Sequence, residues 1–208
     1  MKHFDEQAKN WDDNPLKNKR AKVIAKEIDD FIQPNKALHA LEFGCGTGLL
    51  SFHLKDAFKS ITLADNSEGM IRVLQQKIQD DGIRHFKPLL MDLTTDTLPQ
   101  EAYDVLYTLM TMHHIYDIDH ILGAFRATLK PNAYLCIADL VEEDGSFHAH
   151  LPGFEGHNGF NQDALVNQLT KHDFELVHSK ICFEMERNFD GVIKKYPLFL
   201  MICKKNAE

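Results

Sequence analysis

The sequence predicts an α/β fold: a mostly parallel sheet with helices on both faces. Three observations carry that expectation. Apolar runs of strand length alternate with helical periodicity along most of the chain. Residues 133–141 are almost continuously apolar, as a strand covered on both faces requires. The turn Gly44-Cys45-Gly46-Thr47-Gly48 lies between an apolar run and a helix start, the context that gives a glycine motif meaning. The 208 residues suffice for one domain with a sizeable core, and 44% hydrophobic content is ordinary for a globular protein.

Each element follows from its residues. Residues 4–15 are polar apart from Phe4 and Trp11. In 16–32, Leu16, Val23, Ile24, Ile28, Phe31 and Ile32 fall near one helical face, and Pro34 and Asn35 stop the helix. The run 37–41 leads as the first strand into Glu42, Phe43 and the glycine turn, and 49–54 open a helix. Residues 60–64 form a second strand that ends at Asp65. Ser67 is the expected N-cap of the next helix, Met70, Ile71, Leu74 and Ile78 form its buried stripe, and Asp81-Gly82 ends it. Residues 83–91 make a third strand closed by Asp92; its Pro88 cannot donate a ladder bond, so this strand belongs at a sheet edge. Residues 103–109 form the fourth strand. Ile118, Ile121, Leu122, Phe125 and Leu129 line the following helix, which Lys130-Pro131-Asn132 should terminate before the fifth strand at 133–141. Residues 142–160 have no period and are rich in Gly and His. A helix at 161–172, with Leu165 and Leu169 inward, precedes strands at 176–185 and 197–204, which lack an intervening helix and should pair antiparallel.

Bulk properties narrow the function. A net charge of -8 is not the electrostatic footprint of a nucleic-acid binder, so a small-molecule partner is expected. No apolar run reaches membrane-span length, and Met1-Lys2-His3-Phe4-Asp5-Glu6 is too acidic to open a secretory signal. Cys45, Cys136, Cys182 and Cys203 are scattered without a C-x-x-C pair, as in a reduced, cytoplasmic protein.

In such sheets ligands bind beyond the carboxyl ends of the strands. Those ends carry Glu42 and the glycine turn, Asp65, Asp92, and Thr108 followed by Met110-Thr111-Met112-His113-His114. A carboxylate after the second strand suits ribose hydroxyls, and one after the third suits an exocyclic amine such as adenine N6. The G-x-G-x-G spacing breaks the dinucleotide fingerprint, whose last small residue is here Leu49.

With these motifs the chain resembles the class I S-adenosylmethionine-dependent methyltransferases, in their small-molecule branch. The stretch Leu41-Glu42-Phe43-Gly44-Cys45-Gly46-Thr47-Gly48 is similar to the first motif of that family, and Asp65-Asn66-Ser67-Glu68-Gly69-Met70 to the segment after its second strand. Asp92-Leu93 resembles the adenine-edge contact, and Tyr103-Asp104-Val105-Leu106-Tyr107 with His113-His114 the fourth-strand motif. Leu129-Lys130-Pro131-Asn132-Ala133 stands where the family usually has Leu-Lys-Pro-Gly-Gly.

The resemblance implies a Rossmann-like doubly wound seven-stranded sheet, mostly parallel with an antiparallel C-terminal hairpin. It implies a single domain over 1–208, with a helical cap at 1–32, a cofactor-binding core at 37–141, and a C-terminal helix and hairpin at 161–208. The connection 142–160 is expected to be a substrate lid because it is long, follows the fifth strand, and carries glycine hinges with Phe147, Leu151, Phe154 and Phe160 to bury. The implied cofactor is S-adenosyl-L-methionine, with S-adenosyl-L-homocysteine as product. Its binding residues would be Trp11, Arg20, Glu42, Gly44, Cys45, Gly46, Gly48, Asp65, Asn66, Met70, Asp92, Leu93, Thr108 and His113, with Trp11 and Arg20 over the methionine end.

The methyl acceptor, an O, N or C nucleophile of a small molecule, is not encoded legibly. If it must lose a proton, the candidate bases are His113, His114, His148, His150 and His157, although any one histidine serves as readily in packing or at the surface. No metal is expected. Three other readings compete: an NAD-dependent oxidoreductase; a zinc hydrolase using Asp144, His148, His150 and His157, which has no H-E-x-x-H to support it; and a non-catalytic nucleotide-binding partner protein.

Overall fold

A computed structural model describes residues 2–92, 95–149, 151 and 153–207. The chain opens with α1 (Lys2–Gln7), a 3-10 turn (Ala8–Asp13) and α2 (Pro15–Ile32). Asn14 caps α2 by accepting the Leu16 N–H at 2.9 Å, and Pro15 occupies the first turn, where no donor is needed. There follow β1 (His39–Phe43), α3 (Leu49–His53), β2 (Ser60–Asp65), α4 (Glu68–Asp80), β3 (Phe86–Leu90) and β4 (Tyr103–Leu109). A 3-10 turn (Met112–His114), α5 (Ile118–Thr128), β5 (Leu129–Leu140), a 3-10 turn (Ser146–His148), α6 (Gln162–Lys171), β6 (Phe174–Phe189) and β7 (Val192–Lys205) complete the chain. Ser67, Asp117 and Asn161 cap α4, α5 and α6 through their side chains.

All seven strands form one sheet in the order β3-β2-β1-β4-β5-β7-β6. The first five run parallel, and β7 pairs antiparallel with both β5 and β6. The expected sheet is therefore observed. β3 lies at an edge, with Pro88 opposite Leu63 of β2, where its missing N–H costs no ladder bond. Strand alternation divides the core in two. Leu41, Phe43, Leu106 and Leu135 pack beneath α5 and α6, while Ala40, Val105, Tyr107 and Cys136 pack beneath α2, α3 and α4.

The third strand starts at Phe86 rather than at 83, and the larger differences from expectation lie in the last three strands. Lys130, Pro131 and Asn132 lie within β5, which begins at Leu129 immediately after α5. The register between β4 and β5 shifts between Tyr103 and Val105, and Asn132 takes φ 63, so an irregularity absorbs a tripeptide that looks like a stop signal. The final strands are also longer, with β6 reaching Phe189 and β7 starting at Val192. Asp190 and Gly191, at φ 49 and 91, form the two-residue turn between them. Asp-Gly is the strongest short hairpin signal. Its neighbours Phe189, Val192 and Ile193 are apolar but exposed, and they do not alternate with polar residues as a half-buried hairpin would.

The glycine turn sits where β1 hands over to α3. Gly48 has φ 81, and a Cβ there would stand 2.7 Å from Leu74 Cδ1 and 3.2 Å from Leu63 Cδ2. The helix can approach the sheet only because that atom is missing. Gly48→Ala should lower stability by about 1–3 kcal/mol, the range for non-glycine residues forced into left-handed backbone. Urea unfolding of the two proteins measures it, and an unchanged midpoint would refute this account of the turn.

Candidate active site

Beyond the carboxyl ends of β1, β2 and β4 lies a cavity of about 390 Å³. Its floor is Glu42, Gly44, Cys45 and Gly46 from the β1 turn, with Asp65 and Asn66 from the end of β2. Met70 of α4, Asp92 after β3, and Met110, Thr111 and His114 after β4 form its sides, and Phe4, Trp11, Lys17 and Arg20 roof it. Ten of the residues singled out for a cofactor thus meet on one cavity: Trp11, Arg20, Glu42, Gly44, Cys45, Gly46, Asp65, Asn66, Met70 and Asp92. Gly48 lies behind the turn against Leu74. Thr108 is buried inside β4, its Oγ1 without a hydrogen-bond partner among the described residues. Leu93 and His150 lie outside the described residues.

Hydrogen bonds hold the floor. Asp65 accepts the Gly46 N–H at 2.7 Å and the Ser67 N–H at 2.9 Å. Burial pushes its carboxyl up, against the pull of these donors. Glu42 is buried and accepts from the Ser51 N–H at 3.2 Å and from the Ser51 hydroxyl, which also meets the Tyr107 hydroxyl at 2.7 Å. Desolvation outweighs those bonds and raises the Glu42 pKa from 4.5 to about 8.

The roof is fastened by two aspartates that sequence reasoning missed. Asp5 accepts the Ser67 hydroxyl at 2.6 Å and the Gly69 N–H at 2.8 Å, placing its charge at the N-terminus of α4. Asp12 accepts the Thr47 hydroxyl at 2.5 Å and the Lys77 ammonium at 2.6 Å. Their partners are far off in sequence, so no local pattern announces them.

A second chamber of about 270 Å³ adjoins the first. The two share Phe4, Trp11, Lys17, Arg20, Met110 and His114. The second adds His113, Phe147, His148, Leu151, Met185 and Arg187 among its walls. Arg20 Nη1 donates to Met185 Sδ at 3.3 Å, while its buried Nε finds no partner among the described residues. Desolvation lowers Arg20 to about 10, against the opposing pull of Asp139. Lys17 lies 3.0 Å over the Trp11 ring, and desolvation, helped by the Arg20 charge, lowers its pKa to about 8.

The histidines separate into two groups. His113 Nδ1 meets Asp139 Oδ1 at 2.6 Å, and both residues are buried. Burial pushes the Asp139 carboxyl up, but the charge and hydrogen bond of His113 hold it below its ordinary value. His114 and His148 stand beside His113, with ring centroids 4.2 and 4.9 Å from it. His157 lies on neither chamber; its Nε2 is 3.3 Å from the Tyr116 carbonyl oxygen. Its backbone N–H donates to the His113 carbonyl at 2.7 Å, which docks the loop against the turn after β4. Gly156 permits that docking, since a Cβ there would lie 2.2 Å from the same carbonyl oxygen. No helix of the described residues is long and apolar enough to cross a membrane.

Comparison with known proteins bears on this geometry. Residues 16–179 match a family model described as a methyltransferase domain. An uncharacterized methyltransferase of Schizosaccharomyces pombe is 30% identical over 165 residues, 70% of this chain and 58% of that protein. The phosphoethanolamine N-methyltransferase of Triticum aestivum is 26% identical over 188 residues, 82% of this chain and 37% of its own. The chain therefore spans less than two thirds of the length of these relatives. The solved structure of the YcgJ protein from Bacillus subtilis superposes with TM-score 0.74 at 12% identity, covering 89% of this chain and 98% of the other.

The Glu42 shift has a consequence for stability. A carboxyl of pKa about 8 folded and 4.5 unfolded gives stability that is full below pH 4.5 and lost as pH rises through about 8. Glu42→Gln, neutral throughout, should remove that loss. Its urea midpoint relative to the native protein should rise between pH 5 and pH 8, and a constant difference would show that Glu42 does not titrate in that window.

Proposed function

The chain belongs to the methyltransferase-domain family of class I S-adenosylmethionine-dependent enzymes, and on that premise we propose that it transfers the methyl group of S-adenosylmethionine to an oxygen, nitrogen or carbon nucleophile of a small molecule. One observation carries this reading: the cavity bounded by the glycine turn and the strand-end acids shares a wall with a second chamber of different chemistry. The first suits a nucleoside with a charged arm, and the second suits an acceptor.

The residues fit the cofactor. Asp65 keeps lone pairs beyond its backbone contacts for a ribose diol. Asn66, Met70 and Asp92 lie together for the adenine, and Leu93 belongs to the same proposed contact. Arg20 Nε, without a partner among the described residues, suits the methionine carboxylate. Gly48, Thr108 and His113 do not line this cavity: Gly48 packs behind the turn, Thr108 is buried in β4, and His113 lines the second chamber.

When bound, S-adenosylmethionine supplies a methyl group already activated by a positive sulfur, with a neutral thioether as leaving group. The chain's own task is to align the acceptor in line and exclude water. Phe4, Trp11 and Met110 stand on both chambers at the junction such alignment needs. Phe147 and His148 from the loop after β5 wall the second chamber, which supports that loop as a lid over the acceptor. An alcohol, phenol or ammonium acceptor must lose a proton, and the wall of His113, His114 and His148 is where that demand is met. His157 lies on neither chamber, so this reading gives it no direct part. Four free cysteines agree with a reducing compartment such as the cytoplasm.

An NAD-dependent oxidoreductase shares the sheet and the ribose acid, but Leu49 occupies the position that a dinucleotide turn gives to a small residue. Calorimetry decides between them. S-adenosylhomocysteine should bind, and Asp65→Ala should weaken it by about 1–3 kcal/mol, the scale for hydrogen bonds to a charged group. Tighter binding of NAD would overturn the proposal.

A further inference from the structure

We propose that His113, His114 and His148 bind a divalent transition-metal ion whose remaining coordination positions face the second chamber. Binding of the ion stands on the geometry alone; only its role rests on the methyl-transfer reading.

The donors are assembled. One ring nitrogen of each histidine lies within 4.8 Å of one from each of the others. Metal–nitrogen bonds of about 2.0–2.1 Å in a tetrahedral site separate ligand nitrogens by roughly 3.4 Å, so closure takes side-chain movement on the order of 1 Å. Three imidazoles suit zinc, iron(II), cobalt or nickel, whereas magnesium and calcium prefer oxygen. The set comes from the two 3-10 turns that follow β4 and β5. His113 and His114 follow β4 closely, and His148 stands in the loop after β5, the strand paired with β4.

The surroundings are those of a ligand set. A ligating histidine characteristically gives its other ring nitrogen to a carboxylate, which fixes the tautomer and raises the basicity of the donor. His113 does this toward Asp139 at 2.6 Å, which leaves Nε2 as the donor. Asp139 is itself held by the Leu140 and His113 N–H groups, at 2.7 and 3.3 Å. Packing orients the other rings. His148 stacks on Phe154 at 3.9 Å with an interplanar angle of 11°, and His114 meets Phe4 edge-on at 5.3 Å. Little rotamer freedom remains to be lost on binding.

The ion would hold an acceptor oxygen. Coordination releases the hydroxyl proton to water. The oxygen lone pair then forms the O–C bond as the C–S bond breaks, its electron pair passing to sulfur. Lys17 and Arg187 on the same chamber favour an acceptor that also carries an anionic group, such as a carboxylate.

The test uses the full chain, stripped with a chelator and titrated with Zn²⁺ or Co²⁺. One ion per chain by elemental analysis is expected, with the visible absorption of nitrogen-ligated Co²⁺. His148→Gln and His114→Gln should each weaken binding at least about tenfold, and Asp139→Asn about 10–100-fold as an outer-shell change. S-adenosylhomocysteine binding without metal should be unchanged in His148→Gln, which shows that the variant is folded. No ion bound by the native chain, or native affinity retained in both histidine variants, would overturn the proposal. Failure of the native chain to bind S-adenosylhomocysteine while the ion binds would instead overturn the methyl-transfer reading alone.

Discussion

The candidate active-site cavity depends on the contact between the glycine turn and the end of β2. Gly44 and Cys45 donate to the Ala64 carbonyl at 2.9 and 3.0 Å, and Gly46 donates to Asp65 at 2.7 Å. These bonds bend the β1 turn over its neighbour instead of letting it run on into solvent. Asp65 tolerates its burial because backbone donors compensate the lost water. The same carboxylate therefore shapes the cavity and lines it.

From that floor the roof is placed by charge rather than by apolar packing alone. Asp5 reaches the first turn of α4 and Asp12 reaches Thr47 and Lys77, so both anchors end on elements that also line or flank the cavity. A polar amino-terminal segment with few apolar residues could not otherwise stay on the domain. Phe4 and Trp11, 5.9 Å apart and edge-on, then become walls rather than core. Lys17 occupies one face of Trp11, so a cation–π contact is already made there by the chain itself.

What the sequence showed and what it hid divide by range. The strand and helix pattern, the Ser67 cap and the Pro88 edge rest on neighbours within a few residues, and these were legible. The extent of β5 was misjudged because Lys130-Pro131-Asn132 is a strong local stop that the pairing with β4 overrides. Asp190-Gly191 carried its hairpin signal openly, but the flanking residues lack the apolar alternation that gives such a signal weight. The glycine turn and the strand-end acids pointed to the cavity, because topology alone brings strand ends together. Asp5 and Asp12 stayed hidden, since each acts across more than thirty positions of sequence.

Asp139 shows the same limit most sharply. It sits in an apolar strand, where sequence offers only the expectation of a covered interior. The pairing of Leu109 with Ala138 decides otherwise, because it sets Asp139 one step past the end of β4, where that strand breaks into its 3-10 turn. Met110, at φ 57, returns its N–H to the Ala138 carbonyl and starts that break. His113 is thereby carried back over the buried carboxylate. A wholly buried charge persists only when it is paired and hydrogen-bonded, and here a ring nitrogen and two backbone N–H groups meet that need. The fold tolerates Asp139 through His113, and in doing so it fixes Nδ1 as the His113 nitrogen that faces the carboxylate.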